Sequence, residues 1–350
     1  MRSTVWRVCV TVGVCLAIVL ALSVIVEAKK KDVVEISQEK VLDGGITPGD
    51  TAGFPATISE SGSYKLISNL EVPDANTTAI YVIVDNVTLD LNGFAIIGPN
   101  VCDMSTGCDP GGFGTGINAF GKDNISVRNG IVTGMGRYGI FTGSLGTIED
   151  VHATNNGTAG IRVSTGSTVA KCTSSSNGGY GIEVSAGLVS KCSVDRNGSY
   201  GILGTGGSTV TNCVVQVNGG TGISANGNVT NNNLSRNGLS FTSPGISTQG
   251  NVIGNTVVSS TGNGIETVNV GSLVKDNTVM FNDGDGIHDN NGASTVIGNH
   301  ISVNKGYGLN LHAESGYVNN VIKTLTGTSI GTVLGGVQMG TNLCDGVPCP

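Results

Sequence analysis

From about residue 116 onward, apolar positions follow neither the helical period nor a heptad. They fall in short β-branched pieces separated by Gly, Asn, Ser and Thr, the composition of strands and turns. A longer period organises them. Gly-Ile (once Gly-Leu) begins at Gly116, Gly139, Gly160, Gly181, Gly201, Gly222, Gly245, Gly264, Gly286 and Gly308, with spacings from 19 to 23. A second column lies nine or ten residues upstream of most of these and reads Gly130, Val151, Cys172, Cys192, Cys213, Asn232, Asn255, Asn277, Asn299 and Asn320. A third places an asparagine four residues before the Gly, at Asn156, Asn177, Asn197, Asn218, Asn282 and Asn304. Three columns that keep one period are the signature of a solenoid. The pattern predicts stacked coils of about 21 residues, each strand pairing with its equivalents above and below at ~4.8 Å. Asparagines then stack as amide ladders. Each Gly serves either a positive-φ turn or a tight backbone approach, the following Ile points inward, and the next residue points out.

The stretch Ser61-Gly62-Ser63-Tyr64, then Asn86-Val-Thr-Leu-Asp-Leu-Asn-Gly93 and Ile96-Ile97-Gly98, resembles the opening of NosD-like right-handed β-helix proteins. The later N-x-x-x-G-I units resemble the parallel β-helix repeats of the pectate-lyase-like superfamily. The resemblance spans roughly residues 58 to 325. It implies an all-β, right-handed parallel β-helix solenoid with an N-terminal cap. The superfamily holds lyases, hydrolases, epimerases, tailspikes and non-catalytic surface proteins, so the fold leaves the chemistry open. Residues 29–75, with Pro48, Pro55 and Pro73, read as N-terminal lead-in and cap, 76–330 as the β-helix, and 331–350 as C-terminal cap or tail.

Residues 1–28 read as a secretory signal, with Arg2 and Arg7 before an apolar run from Val8 to Val26 and a small-residue cleavage motif at Val26-Glu27-Ala28. An uncleaved anchor is the alternative, because the apolar run is long. The expected destination is the periplasm, cell surface or medium. No second stretch is long enough to span a bilayer, so the mature chain carries no span. Setting aside Arg2, Arg7 and Glu27 turns the formal charge of −7 into −8. An acidic chain without a Lys/Arg stripe has no electrostatic footprint for nucleic acid. Glycine at 56 of 350 residues invites a reading of disorder, which 38% hydrophobic residues and the order of the repeat oppose. Cys102 with Cys108, and Cys344 with Cys349, bracket short loops and read as disulfides of an oxidising compartment. Cys172, Cys192 and Cys213 share one stacked column and read as buried structural thiols.

Chemistry concentrates in the outward position after each Gly-Ile. Glu266, His288 and Asn310 occupy it in consecutive coils. Asp283, Asp285 and Asp289 surround His288, and His312 lies two residues beyond Asn310. Glu266, His288 and Asp285 are the candidate catalytic residues, because a carboxylate beside an imidazole can run acid–base chemistry. Asn310, His312, Tyr180 and Tyr200 are the candidate substrate contacts. The run Asp283-Gly-Asp285-Gly weakly resembles a calcium turn without its full alternating series or distal Glu, so Asp283, Asp285 and Asp289 are the candidate metal contacts, calcium is the one cofactor suggested and none is required. The plain alternatives are a solvated polar ladder and simple aromatic stacking. Arg162 and Glu183, one coil apart, read as a surface ion pair or as a base with its partner. The loop Asn100 to Gly114 is the longest interruption of the repeat, the kind of insertion that shapes a binding face.

Three functions fit: an exported β-helix that binds polysaccharide or surface glycan through one sheet face, a polysaccharide lyase, hydrolase or epimerase, and a structural or adhesin-like solenoid. Regular coils favour the first and third, and the cluster around His288 argues against a purely structural role. Glycan-associated binding ranks first, with catalysis close behind. The pattern assigns no oligomeric state.

Overall fold

The computed structural model describes residues 32–240, 242–269, 271–325, 327 and 329–349. The segment 1–28, expected as a secretory signal, lies outside the described residues. Val33–Pro350 form one structural unit, and it is a right-handed parallel β-helix. A typical coil contributes three strands, such as Thr168–Ala170, Thr173–Ser175 and Tyr180–Ser185. The third strand of each coil stacks into a 13-stranded sheet, and the other two build a 26-stranded one. Pairing is parallel and in register, so each residue lies over its equivalent one coil away, as Ile161, Ile182, Ile202 and Ile223 do.

The Ile after each repeat Gly forms the core spine. Ile117, Ile140, Ile161, Ile182, Ile202, Ile223, Ile246, Ile265, Ile287 and Leu309 are all fully buried. The preceding glycines are needed for space alone, since none has a positive φ. A Cβ at Gly181 would lie 2.4 Å from Val194 Cγ1 and 2.6 Å from the carbonyl oxygen of Gly201. Positive φ falls instead on the corner residues just before the stacked columns, such as Asn155, Ser176 and Arg196 at one corner and Lys171, Lys191 and Asn212 at another.

Two buried asparagine ladders fix the corners. In one, the side-chain amide of Asn156 donates to Asn177, Asn177 to Asn197, Asn197 to Asn218 and Asn218 to Asn237, at 2.9–3.0 Å. Asn237 escapes the four-before-Gly rule because the coil that follows it is lengthened before Gly245. At the next rung Ser260 replaces asparagine and its buried hydroxyl has no partner among the described residues, and the ladder resumes from Asn282 to Asn304. The second ladder runs from Asn232 through Asn255, Asn277, Asn299 and Asn320 to Asn342. Each rung also donates to a backbone carbonyl, as Asn277 does to Val252 at 2.9 Å, so the buried amides are satisfied.

The ends differ from the sequence boundaries. Val34–Ile36 pairs with Gly62–Leu66 and Ala56–Ile58 with Ile80–Val82, so coiling begins inside the expected cap. The same segment contains the short helix Gln38–Asp43, with Ser37 as N-cap and Val41 buried. The segment expected as C-terminal cap or tail forms one more coil. Gly331–Leu334, Val337–Gln338 and Leu343–Cys344 extend all three strand columns, and an antiparallel strand Val347–Pro348 closes the last. The Gly-Ile signal is lost there because Thr332-Val333 occupies its place. Both expected disulfides, Cys102–Cys108 and Cys344–Cys349, are formed. Cys172, Cys192 and Cys213 are free and buried. The neighbouring Cys172 thiol and burial push Cys192 up to about 12, and Cys213 is raised for like reasons. Among the described residues no helix is long and apolar enough to cross a membrane.

Candidate functional site

The 13-stranded sheet turns one face outward, and its register lines up the side chains after each Gly-Ile. Ser247, Glu266, His288 and Asn310 follow one another in that column, as the sequence spacing predicts. Asn263, Asp285 and Tyr307 stand in the neighbouring column, one residue before each Gly.

Asp285 is the centre of this group. Its Oδ2 lies 2.8 Å from His288 Nδ1 and accepts from Asn310 Nδ2 at 2.8 Å. Its Oδ1 accepts from the backbone N–H of Tyr307 at 2.7 Å, and its own N–H donates to Asn263 Oδ1 at 2.9 Å. Burial alone would raise this carboxyl. The hydrogen bonds from His288, Asn310 and Tyr307 outweigh it and hold Asp285 below the usual range. The same contact raises His288, chiefly through the hydrogen bond to Asp285 and against the opposing effect of burial. Glu266, in the coil before His288, accepts from Asn290 Nδ2 at 2.7 Å and Asn263 Nδ2 at 3.4 Å, and its charge adds to the rise of His288. The arrangement is a half-buried carboxylate–imidazole pair, flanked by a second carboxylate and carboxamides, able to exchange a proton and to hydrogen-bond hydroxyls.

Two sequence groupings do not survive the geometry. Asp289 is two residues beyond Ile287 and therefore points inward. It is buried and accepts from the hydroxyls of Thr267, Ser294 and Ser315. Asp283 pairs with Lys305 Nζ at 2.7 Å, and Asp285 is taken up by His288 and Asn310, so the three aspartates do not converge. Among the described residues no set of three or more His, Cys, Asp and Glu side chains is arranged to hold a metal ion. His312 is exposed in the turn after the strand, over Gly292, and does not join the group.

Farther toward the N-terminus the same face is aromatic. Tyr180 and Tyr200 stack with centroids 5.7 Å apart and planes 7° apart. Arg162 donates from Nη1 to Tyr138 Oη at 2.7 Å and pairs through Nε with Glu183 at 3.3 Å. Burial raises Glu183 against the attraction of Arg162. The Arg162 guanidinium also lies over Phe141, whose ring is 4.8 Å from that of Phe120. Sequence reasoning missed Phe120, Phe141 and Arg137 as a group. Only Phe141 occupies the repeat column; the other two lie in the connections, and chain spacing brings no signal there. The 101–109 insertion folds as a small hairpin, Val101–Asp103 with Gly107–Asp109, against the corner at Asn155.

Among solved structures the chain is similar to the A-module of mannuronan C-5 epimerase AlgE4 from Azotobacter vinelandii, at 16% identity and TM-score 0.46, covering 75% of this chain and 88% of that one. It is similar to pectate lyase Pel9A at 14% identity and TM-score 0.44, covering 89% and 79%. It is also similar to the Dettilon tailspike protein at 17% identity and TM-score 0.46, covering 79% of this chain and 59% of that one. No curated protein matches it. The family model described as right handed beta helix region matches residues 56–239 and 188–325; the coils set out above carry its repeat over most of the chain, which belongs to that family.

Proposed function

We propose that the chain is an exported protein that binds glycans through the outward face of its 13-stranded sheet. The observation that carries this reading is the makeup of that face: the stacked rings of Tyr180 and Tyr200 share it with the hydrogen-bonding groups of Asp285, His288, Glu266 and Asn310. Sugars need both, because a pyranose offers an apolar C–H face to a ring and hydroxyls at its rim. The coil step of ~4.8 Å is close to the advance of one sugar along an extended chain, so successive coils can meet successive residues. The two disulfides suit an oxidising compartment outside the cytosol.

A second reading is catalysis at Asp285 and His288. The raised imidazole and lowered carboxyl form a paired acid and base on a water-facing strip. One screen separates the two. The full exported chain is titrated with acidic and neutral polysaccharides, with and without calcium, while unsaturated products and new reducing ends are followed. Binding that weakens in Tyr180→Ala/Tyr200→Ala, without turnover, supports the first reading. Turnover lost in Glu266→Ala/His288→Ala makes the chain an enzyme. Neither binding nor turnover on any substrate overturns both.

A further inference from the structure

We infer that the N-terminal end of this face holds a separate site for a sugar ring bearing an oxyanion, a carboxylate or a sulfate ester, with Arg137 as its anion anchor. The inference rests on the glycan reading and narrows it to a ligand class and a place.

Two shallow depressions of about 410 and 380 Å³ adjoin there, both lined by Asn118. Phe54 and Tyr81 line the first, and Phe113, Phe120, Tyr138 and Phe141 the second. The combined size is that of a ligand site for one or two rings. Phe113 is 79% exposed and Phe120 is 65% exposed. Loose chain does not explain the first of these. The Phe113 N–H donates to Asn76 Oδ1 at 3.2 Å, Gly111 donates to Asn100 Oδ1 at 3.0 Å, and the hairpin just before is closed by Cys102–Cys108. The backbone is pinned, and the ring it presents forms a wall of the trough.

The charges are uneven. Arg137 and Arg162 line the second depression, and no carboxylate lines either one. Arg162 is already answered by Glu183. Arg137 lies over the Tyr138 ring at 4.7 Å, is exposed, and has no acidic partner among the described residues. An unpaired guanidinium in a chain of net charge −7 is a binding element for an anion, and its planar fork suits a carboxylate or sulfate. The flanking rings accept the apolar face of the sugar, while Asn118 can bond its hydroxyls. A nucleotide also offers a ring and an anion, but the chain has no cationic stripe for a phosphate backbone.

Calorimetric titration of the full chain tests this with four probes: a uronate oligosaccharide, a sulfated oligosaccharide, a neutral oligosaccharide of equal length and a nucleoside monophosphate. The expected result is that at least one acidic sugar binds more tightly than the neutral one. Arg137→Ala then costs that acidic sugar tenfold or more, Arg137→Lys restores part of the loss, and neither changes the neutral sugar. Arg236→Gln, which removes the same charge at a distant corner, leaves all affinities unchanged. Equal binding of acidic and neutral sugars, or an acidic affinity indifferent to Arg137, overturns this site and leaves the glycan reading standing. Preferred binding of the nucleotide overturns it as well. Binding of no sugar at all removes the glycan reading, and the site with it.

Discussion

The two ends of one sheet face use the same backbone lattice and reach opposite states. Around Asp285 the polar groups answer one another: carboxylate to imidazole, carboxylate to carboxamide, backbone N–H to carboxylate. Around Tyr138 only Arg162 is answered, by Tyr138 and Glu183, while Phe113 and Phe120 are bare to water and Arg137 has no counter-charge among the described residues. The C-terminal cluster is rich in chemistry and self-satisfied, while the N-terminal trough is poor in chemistry and open. What a ligand can gain depends on what the protein has left unpaired, so the richer-looking cluster is not the stronger binding candidate.

The comparison breaks most forcefully from beneath, because both regions hang on the asparagine ladders. Asn218→Ala removes the acceptor for the N–H and side-chain amide of Asn197, at 3.1 and 2.9 Å. It is expected to cost about 3 kcal/mol by leaving buried donors unsatisfied, read from the midpoint of denaturant unfolding. A loss below ~1 kcal/mol would mean that water replaces the ladder. Gly201→Ala follows, since its Cβ would lie 2.5 Å from Val215 Cγ1 and 2.6 Å from the Gly222 carbonyl oxygen; overpacking of this kind costs about 1–3 kcal/mol.

Asp285→Asn acts on the C-terminal region alone, with an expected cost of about 1–2 kcal/mol for a charge-assisted hydrogen bond. Its pH dependence sharpens the contrast. Asp285 is lowered, so its contribution is present above the unfolded value of ~3.9 and is lost as pH falls through the folded one. His288 is raised, so its contribution is complete below the unfolded value of ~6.5 and is lost as pH rises through the folded one. The stability gap between wild type and Asp285→Asn should therefore be widest between about pH 4 and 6.5. A gap that narrows neither below nor above that range would show that the pair contributes no charge interaction. The smallest effect belongs to the N-terminal region: Glu183→Gln should change stability by less than ~1 kcal/mol, as a partly exposed ion pair with Arg162. A larger loss would mean that the trough is braced by that pair.

Spacing along the chain was enough to place Glu266, His288 and Asn310 in one column, because a parallel solenoid converts a period into a stack. It also placed Cys172, Cys192 and Cys213 in the interior, and most rungs of both ladders. The period does not encode which face a neighbour takes when it lies off the repeat. Asp289 looked like a companion of Asp285, but strand alternation buries it among three hydroxyls. His312 looked like a neighbour of Asn310, but the turn after the strand carries it away. Phe113, Phe120 and Arg137 come from connections and an insertion, where sequence distance has no fixed relation to distance in space.

The sequence by itself therefore determined the coil, its strands, its core spine and the residues that share the repeat columns. It could do so because each is a local pattern repeated until neighbours must coincide. The tertiary structure alone decided which polar groups satisfy one another and which are left open to a partner. Hydrogen bonding and exposure are set by angles and by the path of the connections, and neither is written in the period.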